Sequence, residues 1–259
     1  MTSRAGSLTG EEADRVERGT EPGDSMRYLP PFDLTSDMLF AVALCPTDPL
    51  RRSFPGVPFV SLLGRTPLLV WFSRVKSVCY TDATGERRCT GGPEAQLYNE
   101  LNVLALLPRA FFAPGIYATS ELTIQIGRRE GMPKQPAPMS LQAGGKRIRS
   151  RMIHGGRRSF VRARLLGSGK ALGRLLSPAL PLRVWPARFP SGRYVRAIIR
   201  ATPRVRIAYL QAGRLSLETN WLPYRVRLLP LGLYFQDLRM QLPGTKPERP
   251  THLVKSTLF

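Results

Sequence analysis

Short apolar segments of alternating character, separated by proline or glycine, recur along this chain and constrain its fold more than any other feature. In residues 69–80, Trp71 and Val75 share one side of an extended chain, while Arg74 points to the other side. Comparable segments lie at residues 38–44, 96–107, 193–200, 204–210, 224–229 and 231–240. The stretches between the later segments are too short for crossover helices, so the sequence predicts antiparallel pairing in a mainly β protein with a few short helices, an α+β fold.

Two segments predict the short helices. Residues 48–54 open with an Asp-Pro pair, in which the aspartate can cap a helix and the proline suits its first position. Residues 121–129 alternate as a strand would, but Thr119 or Ser120 can cap a helix there, with an acidic residue in its first turn. The local pattern at 121–129 thus fits a strand or a helix, and we expect a turn-rich loop at 82–94, where glycine and proline are frequent.

The composition of the two ends of the chain indicates one domain preceded by a tail. Residues 1–25 are polar, charged and too poor in apolar side chains to bury a surface, which is typical of a disordered segment. The rest of the chain, residues 26–259, has no clear linker in its middle and is long enough for a sizeable core. The sequence predicts a disordered N-terminal tail followed by a single domain.

The chain is strongly basic, with 39 lysines and arginines against 18 acids and a net charge of +21. Such a charge attracts nucleic acid, anionic membranes or acidic ligands. Residues 144–170 are the most basic part, but Phe160 is the only aromatic residue among those arginines, and an outward-facing arginine strand explains them. The longest apolar run, residues 38–45, is far shorter than the roughly 20 residues of a membrane span. We expect neither nucleic acid nor membrane as a partner.

The cysteines and histidines indicate neither a metal site nor a disulfide framework. Cys45, Cys79 and Cys89 are an odd number without CxxC spacing, which suits a reducing cytoplasm. His154 and His252 lie far apart, without nearby cysteines or carboxylate clusters. The sequence therefore predicts no bound metal, and nothing in it calls for another cofactor.

Lys134 stands out because of the residues that accompany it. It follows Pro133 and precedes two further prolines, so it is carried on a stiff turn that is not helical. Tyr98-Asn99-Glu100 lies upstream in an apolar run, and Gly127-Arg128 lies between. Over residues 98–136 this ordered set resembles the acetoacetate decarboxylase family. The resemblance implies an antiparallel, cone-like β-barrel and a homo-oligomer. It also implies a short helix at residues 121–129, so together with the possible cap we expect a helix there.

The resemblance also implies a catalytic site. Lys134 would be the nucleophile that forms a Schiff base with a small oxo acid, and Glu100 would act as an acid or a base. The further pocket positions that it implies are Gln135, Met132, Glu121, Arg128, Ser73 and Ser36. This chemistry uses no cofactor and no metal.

Three of these positions depart from the family. Gln135 replaces a second lysine that directly follows the nucleophile in the decarboxylases. Ser36 falls where they carry an arginine, and Ser73 falls near a further active-site glutamate. Loss of the arginine and the glutamate would weaken recognition of a substrate carboxylate. The resemblance therefore implies a Schiff-base enzyme whose substrate is not acetoacetate itself.

Two classes of function stay open. The first is an enzyme that cleaves carbon–carbon or carbon–oxygen bonds of an oxo acid, as a decarboxylase or as an aldolase or dehydratase. The second is a barrel without catalysis that binds an anionic ligand or nucleic acid through its basic surface. The two classes differ in whether Lys134 and Glu100 meet in an apolar cavity.

Overall fold

The computed structural model describes residues 29–167, 180–185, 193–200, 204–222, 224–243 and 245–247. The predicted tail at residues 1–25 and the predicted start of the domain at residue 26 lie outside these residues. Within them, the strands join into one curled, half-barrel mixed sheet with only two short helices. The predicted α+β class, mainly β with a barrel-like sheet, is confirmed.

The strands are long in the centre of the sheet and short at its ends. In chain order they are β1 (Leu29–Pro46), β2 (Arg65–Thr81), β3 (Arg87–Gly91), β4 (Tyr98–Leu106), β5 (Phe111–Ala118), β6 (Lys134–Pro136), β7 (Met139–Gly144), β8 (Arg147–His154), β9 (Arg157–Leu166), β10 (Leu180–Trp185), β11 (Arg193–Arg200), β12 (Val205–Leu215), β13 (Val226–Leu242) and β14 (Thr245–Pro247). The helices are α1 (Thr47–Ser53) and α2 (Glu121–Arg129).

The order of neighbouring strands is β14-β11-β10-β5-β4-β2-β1-β13-β12-β9-β8-β7, with β3 added beside β2 and β6 beside β5. Antiparallel pairing, as predicted, holds for most of the described sheet. Two pairs are parallel, β5 with β6 and β5 with β10. The pair β5–β6 is parallel because α2 carries the chain back along β5, so that β6 lies beside the last three residues of β5 in a small βαβ unit.

Three local predictions differ from the structure. The loop expected at residues 82–94 contains β3, which folds back onto β2. The two segments expected at 224–229 and 231–240 form the single strand β13, and Pro230 lies where its pairings with both β1 and β12 shift register. Helix α1 begins at Thr47, with Pro46 as its N-cap. Helix α2 is confirmed, and the Ser120 side chain accepts a hydrogen bond from the Thr123 backbone at 3.4 Å.

The central strands are buried on both faces, because apolar clusters cover each side of the sheet. Leu39, Val70 and Leu101 belong to the large cluster on one face of these strands. The neighbouring residues along the same strands, such as Trp71 and Leu104, belong to a separate cluster on the opposite face. That second face carries the candidate site.

A charged cluster is buried between β1, β2 and β13. Lys76 Nζ lies 2.8 Å from Asp37 Oδ1 and 2.7 Å from Asp237 Oδ1, and Arg74 also pairs with Asp37. The Asp237 backbone N–H donates to Asp37 Oδ1 at 3.1 Å. Arg204 pairs with Asp237 from the more exposed side. The partners satisfy buried charges that would otherwise be costly.

Cys79 and Cys89 form a disulfide, so the prediction that the cysteines form none is wrong. The two residues face each other directly across β2 and β3, with their Cα atoms 4.0 Å apart. The sequence does not show this pairing, because the glycines and proline of residues 82–94 predict a loop. Because the two thiols are joined, the cysteine count no longer favours a reducing compartment.

Neither helix in the described residues has the length and apolar character needed to cross a membrane.

Candidate functional site

Lys134 is positioned by the way helix α2 ends. Gly131 follows the helix with φ +79°, a left-handed conformation that suits glycine and reverses the chain. The Met132 N–H then donates to the Gly127 carbonyl at 2.8 Å. Arg128 Nε donates to the Lys134 carbonyl at 3.0 Å, so the helix also holds the backbone of β6. This turn fixes the start of the strand and directs the lysine side chain.

The Lys134 side chain meets Glu100 from β4. Lys134 Nζ lies 2.6 Å from Glu100 Oε2. The Lys134 side chain is 14% exposed and the Glu100 side chain is 13% exposed. Asn102 Nδ2 donates to the other carboxylate oxygen at 2.8 Å. Ser73 supports the same strand from β2, because its hydroxyl donates to the Glu100 backbone carbonyl at 3.1 Å. Both carboxylate oxygens of Glu100 are therefore oriented by a partner.

Glu100 and Lys134 line a cavity of about 130 Å³ beside helix α2. Cavities of about 150 Å³ in other proteins hold benzene, so this one has room for a molecule of roughly that size. Most of its wall is apolar, and its described charged residues are Glu100, Glu130 and Lys134. The other described lining residues are Phe32, Leu34, Trp71, Val78, Tyr98, Asn102, Leu104, Ile116, Thr123, Ile126, Gly127, Met132, Val184, Met240 and Leu242.

Two aromatic residues of the wall carry polar groups. Burial raises the pKa of the Tyr98 hydroxyl well above its ordinary value, and the nearby charge of Glu100 raises it further. Tyr98 thus stays a neutral O–H group at working pH. Trp71 lies directly opposite Asn102 in the β2–β4 pairing, and its buried indole N–H has no acceptor among the described residues.

Gly127 is the point where α2 approaches the lysine most closely. A Cβ at this position would lie 2.4 Å from Lys134 Cδ and 2.8 Å from Cε and Cγ. Carbon atoms in ordinary contact are about 3.5–4.0 Å apart. Because Gly127 has a hydrogen in place of a side chain, it leaves the space that the Lys134 side chain occupies to reach Glu100.

No family model matches this chain, and no curated protein is recognisably related to it by sequence. Solved structures do match. The enduracididine biosynthesis enzyme MppR, complexed with the condensation product of pyruvate and imidazole 4-carboxaldehyde, is 16% identical, with a TM-score of 0.53 over 86% of this chain and 90% of that one. An acetoacetate decarboxylase-like enzyme from Sphingomonas wittichii is 15% identical, with a TM-score of 0.52 over 83% and 92%. An acetoacetate decarboxylase is 15% identical, with a TM-score of 0.51 over 90% and 96%.

This chain has the acetoacetate decarboxylase-like fold. The match covers most of each structure, and the curled sheet and short helices agree with it. At 15–16% identity, the likeness extends to the fold alone.

Within the acetoacetate decarboxylase-like fold, three of the residues singled out by sequence lie at one place. Lys134, Glu100 and Met132 all line the cavity. Arg128 does not line it, because its exposed side chain turns back to the Lys134 carbonyl. Glu121 is exposed in the first turn of α2.

Gln135, Ser73 and Ser36 also lie outside the cavity wall. Gln135 follows Lys134 in a strand and so points to the opposite side, where its Oε1 lies 2.9 Å from His154 Nε2. Ser73 is buried and bonded to the backbone of β4. Ser36 is fully buried in β1, and its hydroxyl has no hydrogen-bond partner among the described residues.

Sequence reasoning missed several residues of the site. Asn102 lies two positions after Glu100 in a strand, so alternation alone could have placed both on one face. Trp71 could have been found in the same way once β2 was paired with β4. Glu130 gave no local signal, because its position depends on the turn at Gly131. No group of three or more histidine, cysteine, aspartate or glutamate residues in the described ranges could hold a metal ion.

Proposed function

We propose that this chain is an enzyme that forms a Schiff base between Lys134 and a small oxo compound, for which the resemblance suggests an oxo acid. One observation carries the proposal. Lys134 Nζ lies 2.6 Å from a carboxylate inside a mostly apolar cavity that has room for a small ligand. An amine and an acid–base group within hydrogen-bonding reach, in a place that excludes water, are the parts that imine formation needs.

The first steps follow from this pair. Glu100 accepts a proton from the Lys134 ammonium, and the neutral amine attacks the carbonyl carbon of the substrate. The former carbonyl oxygen takes one proton from the newly bonded nitrogen and a second proton from Glu100, and it leaves as water. The product is a protonated imine, and Glu100 returns to its carboxylate form. Asn102 keeps the carboxylate oriented during both transfers by donating to Oε1.

Two courses are open to the imine. A 3-oxo acid would lose carbon dioxide, and the released electrons would form an enamine. Alternatively, Glu100 would remove a proton from the carbon next to the imine, and the enamine formed would add to a second carbonyl compound. In the reverse direction, the imine of such an adduct would be cleaved to the enamine and the carbonyl compound. The structures of MppR with pyruvate and with a condensation product of pyruvate and an aldehyde favour the second course as a candidate.

The test is reductive trapping on the full-length protein. Borohydride reduction in the presence of a panel of oxo acids, ketones and aldehydes should attach the ligand at Lys134, as read by intact mass and peptide mapping. Lys134→Ala should abolish the adduct, whereas the exposed Lys146→Ala should leave it unchanged. Glu100→Gln should slow labelling strongly while Lys134 remains present.

Absence of any adduct at Lys134 across the panel between about pH 6 and 9, on folded protein, would overturn the enzyme proposal. The second candidate function, an anion-binding barrel without catalysis, would then gain support. The basic face of β8 and β9 favours it, because Arg149 and Arg162 pair directly across these strands and both are exposed. The homo-oligomer implied by the resemblance is part of the first proposal and can be measured by light scattering.

A further inference from the structure

The charges that line the cavity disfavour an acidic substrate. Two of the three described charged groups in its wall are the carboxylates of Glu100 and Glu130, and the third is the amine that would become the imine. A substrate carboxylate held at this wall would lie beside two carboxylates that are each paired with a cation, and no further described cation lines the wall to bind it. Burial of an ion in an apolar site is costly unless a partner of opposite charge replaces its water.

The cations near the cavity are already engaged. Arg129 Nε lies 3.7 Å from Glu130 Oε1, and Arg128 is bonded to the Lys134 carbonyl. Arg74 and Lys76 pair with Asp37 in the charged cluster of β1, β2 and β13. Neither of these two side chains lines the cavity. None of the described cations other than Lys134 lines the cavity.

Ser36 occupies the position at which an arginine would be expected from the resemblance. It is fully buried, and no described residue bonds to its hydroxyl. A serine there carries no charge and reaches far less than an arginine. The replacement of the family's arginine by Ser36 thus coincides with a cavity that lacks a carboxylate-binding cation among its described lining residues.

We propose that the site accepts an uncharged carbonyl compound, a ketone or aldehyde of about the size of benzene with apolar substituents, in preference to an oxo acid. The inference rests on the proposed function, because it assigns the substrate class of the same lysine. The apolar residues of the wall, including Leu34, Leu104, Ile116 and Met240, match such substituents.

Trp71 adds a specific requirement to this substrate. Its indole N–H is buried at the wall and has no acceptor among the described residues. A buried donor without a partner is costly, and a ligand oxygen would relieve that cost. A substrate with one neutral acceptor beyond the reacting carbonyl, such as an ester, ether or second ketone oxygen, should therefore react faster than its hydrocarbon analogue.

An uncharged substrate also fixes how the enamine forms. Without a carboxylate there is no carbon dioxide to lose, so the electron pair must come from a carbon–hydrogen bond. Glu100 takes the proton from the carbon next to the imine, the electrons move to the nitrogen, and a neutral enamine results. Its reprotonation from solvent would exchange that hydrogen, and this exchange can be measured without knowledge of the second reactant.

The experiment compares matched carbonyl compounds on the full-length protein. Acetoacetate is compared with methyl acetoacetate, and pyruvate is compared with methyl pyruvate. For each compound, the rate of borohydride trapping at Lys134 is divided by the rate at which N-acetyl-lysine methylamide is trapped. The methyl esters are larger than the acids, so simple crowding would act against them. We expect at least a tenfold preference for the uncharged member of each pair.

Two variants and an exchange measurement sharpen the test. Glu130→Gln removes one carboxylate from the wall, so it should raise trapping by the acids severalfold more than trapping by the esters. Trp71→Phe should lower trapping of compounds with the extra oxygen severalfold more than trapping of their hydrocarbon analogues. Deuterium should enter cyclohexanone in heavy water, as read by NMR, and Lys134→Ala should stop this exchange.

The outcomes separate the two proposals. Equal or faster trapping of the acids would overturn the inference about the substrate and leave the Schiff-base function standing. Absence of trapping by every compound would overturn the function itself. A preference for the uncharged compounds that Glu130→Gln leaves unchanged on a folded protein would show that the wall charges do not set it, and the electrostatic argument would fail.

Discussion

Gly127→Ala is expected to separate the chemistry of the site from the stability of the fold. The new Cβ would lie 2.4 Å from Lys134 Cδ, against an ordinary contact of about 3.5 Å, so the lysine side chain must move by about 1.1 Å or more. Lys134 Nζ would then leave its 2.6 Å contact with Glu100. Misplacement of a reacting group by about 1 Å can cost roughly a hundredfold in rate.

The effect on stability should be small, because two contributions oppose each other. Alanine in place of glycine inside a helix gains about 0.5–1 kcal/mol. Crowding of a packed site costs about 1–3 kcal/mol, and a flexible lysine stem should keep this near the lower end. We therefore expect the free energy of unfolding to change by no more than about 1 kcal/mol, while the rate of borohydride trapping at Lys134 falls about a hundredfold.

The assay is trapping by a fixed ketone beside urea denaturation of the same protein. Gly144→Ala is the matched control, because a Cβ there meets no atom within 4 Å and it lies far from α2 in the chain. It should leave the trapping rate within about twofold. Normal trapping in Gly127→Ala, at normal stability, would refute the idea that the close approach of α2 directs the lysine.

Three further predictions concern other parts of the molecule. Replacing Cys79 and Cys89 by serine should lower the free energy of unfolding by about 2–3 kcal/mol, because the crosslink closes a loop with a sequence separation of 10; equal denaturation midpoints with and without the bond would contradict this. Burial lowers the pKa of His154 below its usual 6.5, so the unfolded chain takes up the proton first and the free energy of unfolding should fall as pH drops through 6.5. His154→Asn should flatten this pH dependence of stability. A pH dependence that persists in the variant would show that another group causes it. Oligonucleotides should bind the basic face weakly and without sequence preference and dissociate near physiological salt, with a shallower salt slope in Arg149→Ala; nanomolar binding at that salt would rank nucleic acid above the enzyme proposal.

Patterns that depend on neighbouring residues could be predicted from the sequence. The strand pattern and helix α2 with its Ser120 cap depend on local spacing, which a single sequence displays. Lys134 and Glu100 were chosen through the ordered motifs, although 34 residues separate them and only the β4–β5–β6 pairing brings them together.

Features that depend on distant pairing could not be predicted. The Cys79–Cys89 bond requires β3 to fold onto β2, and polar residues with glycine gave no sign of a strand there. Pro230 indicated a break, yet β13 continues because the proline lies at a shift in register. The resemblance implies that Gln135 lies in the pocket with Lys134, whereas alternation along β6 sends the two side chains to opposite sides of the strand.

The buried charges of Asp37, Lys76 and Asp237 have a consequence for how the chain folds. Lys76 and Asp237 are 161 positions apart, so their contact forms only when β13 has returned to the middle of the sheet. A slip of β13 by one residue would turn its side chains to the other face, so Lys76 would keep Asp37 but lose Asp237 as its second carboxylate partner. The cluster therefore penalises every misaligned arrangement of these strands. It favours the correct register of strands that are distant in sequence and slow to pair, which local contacts cannot align.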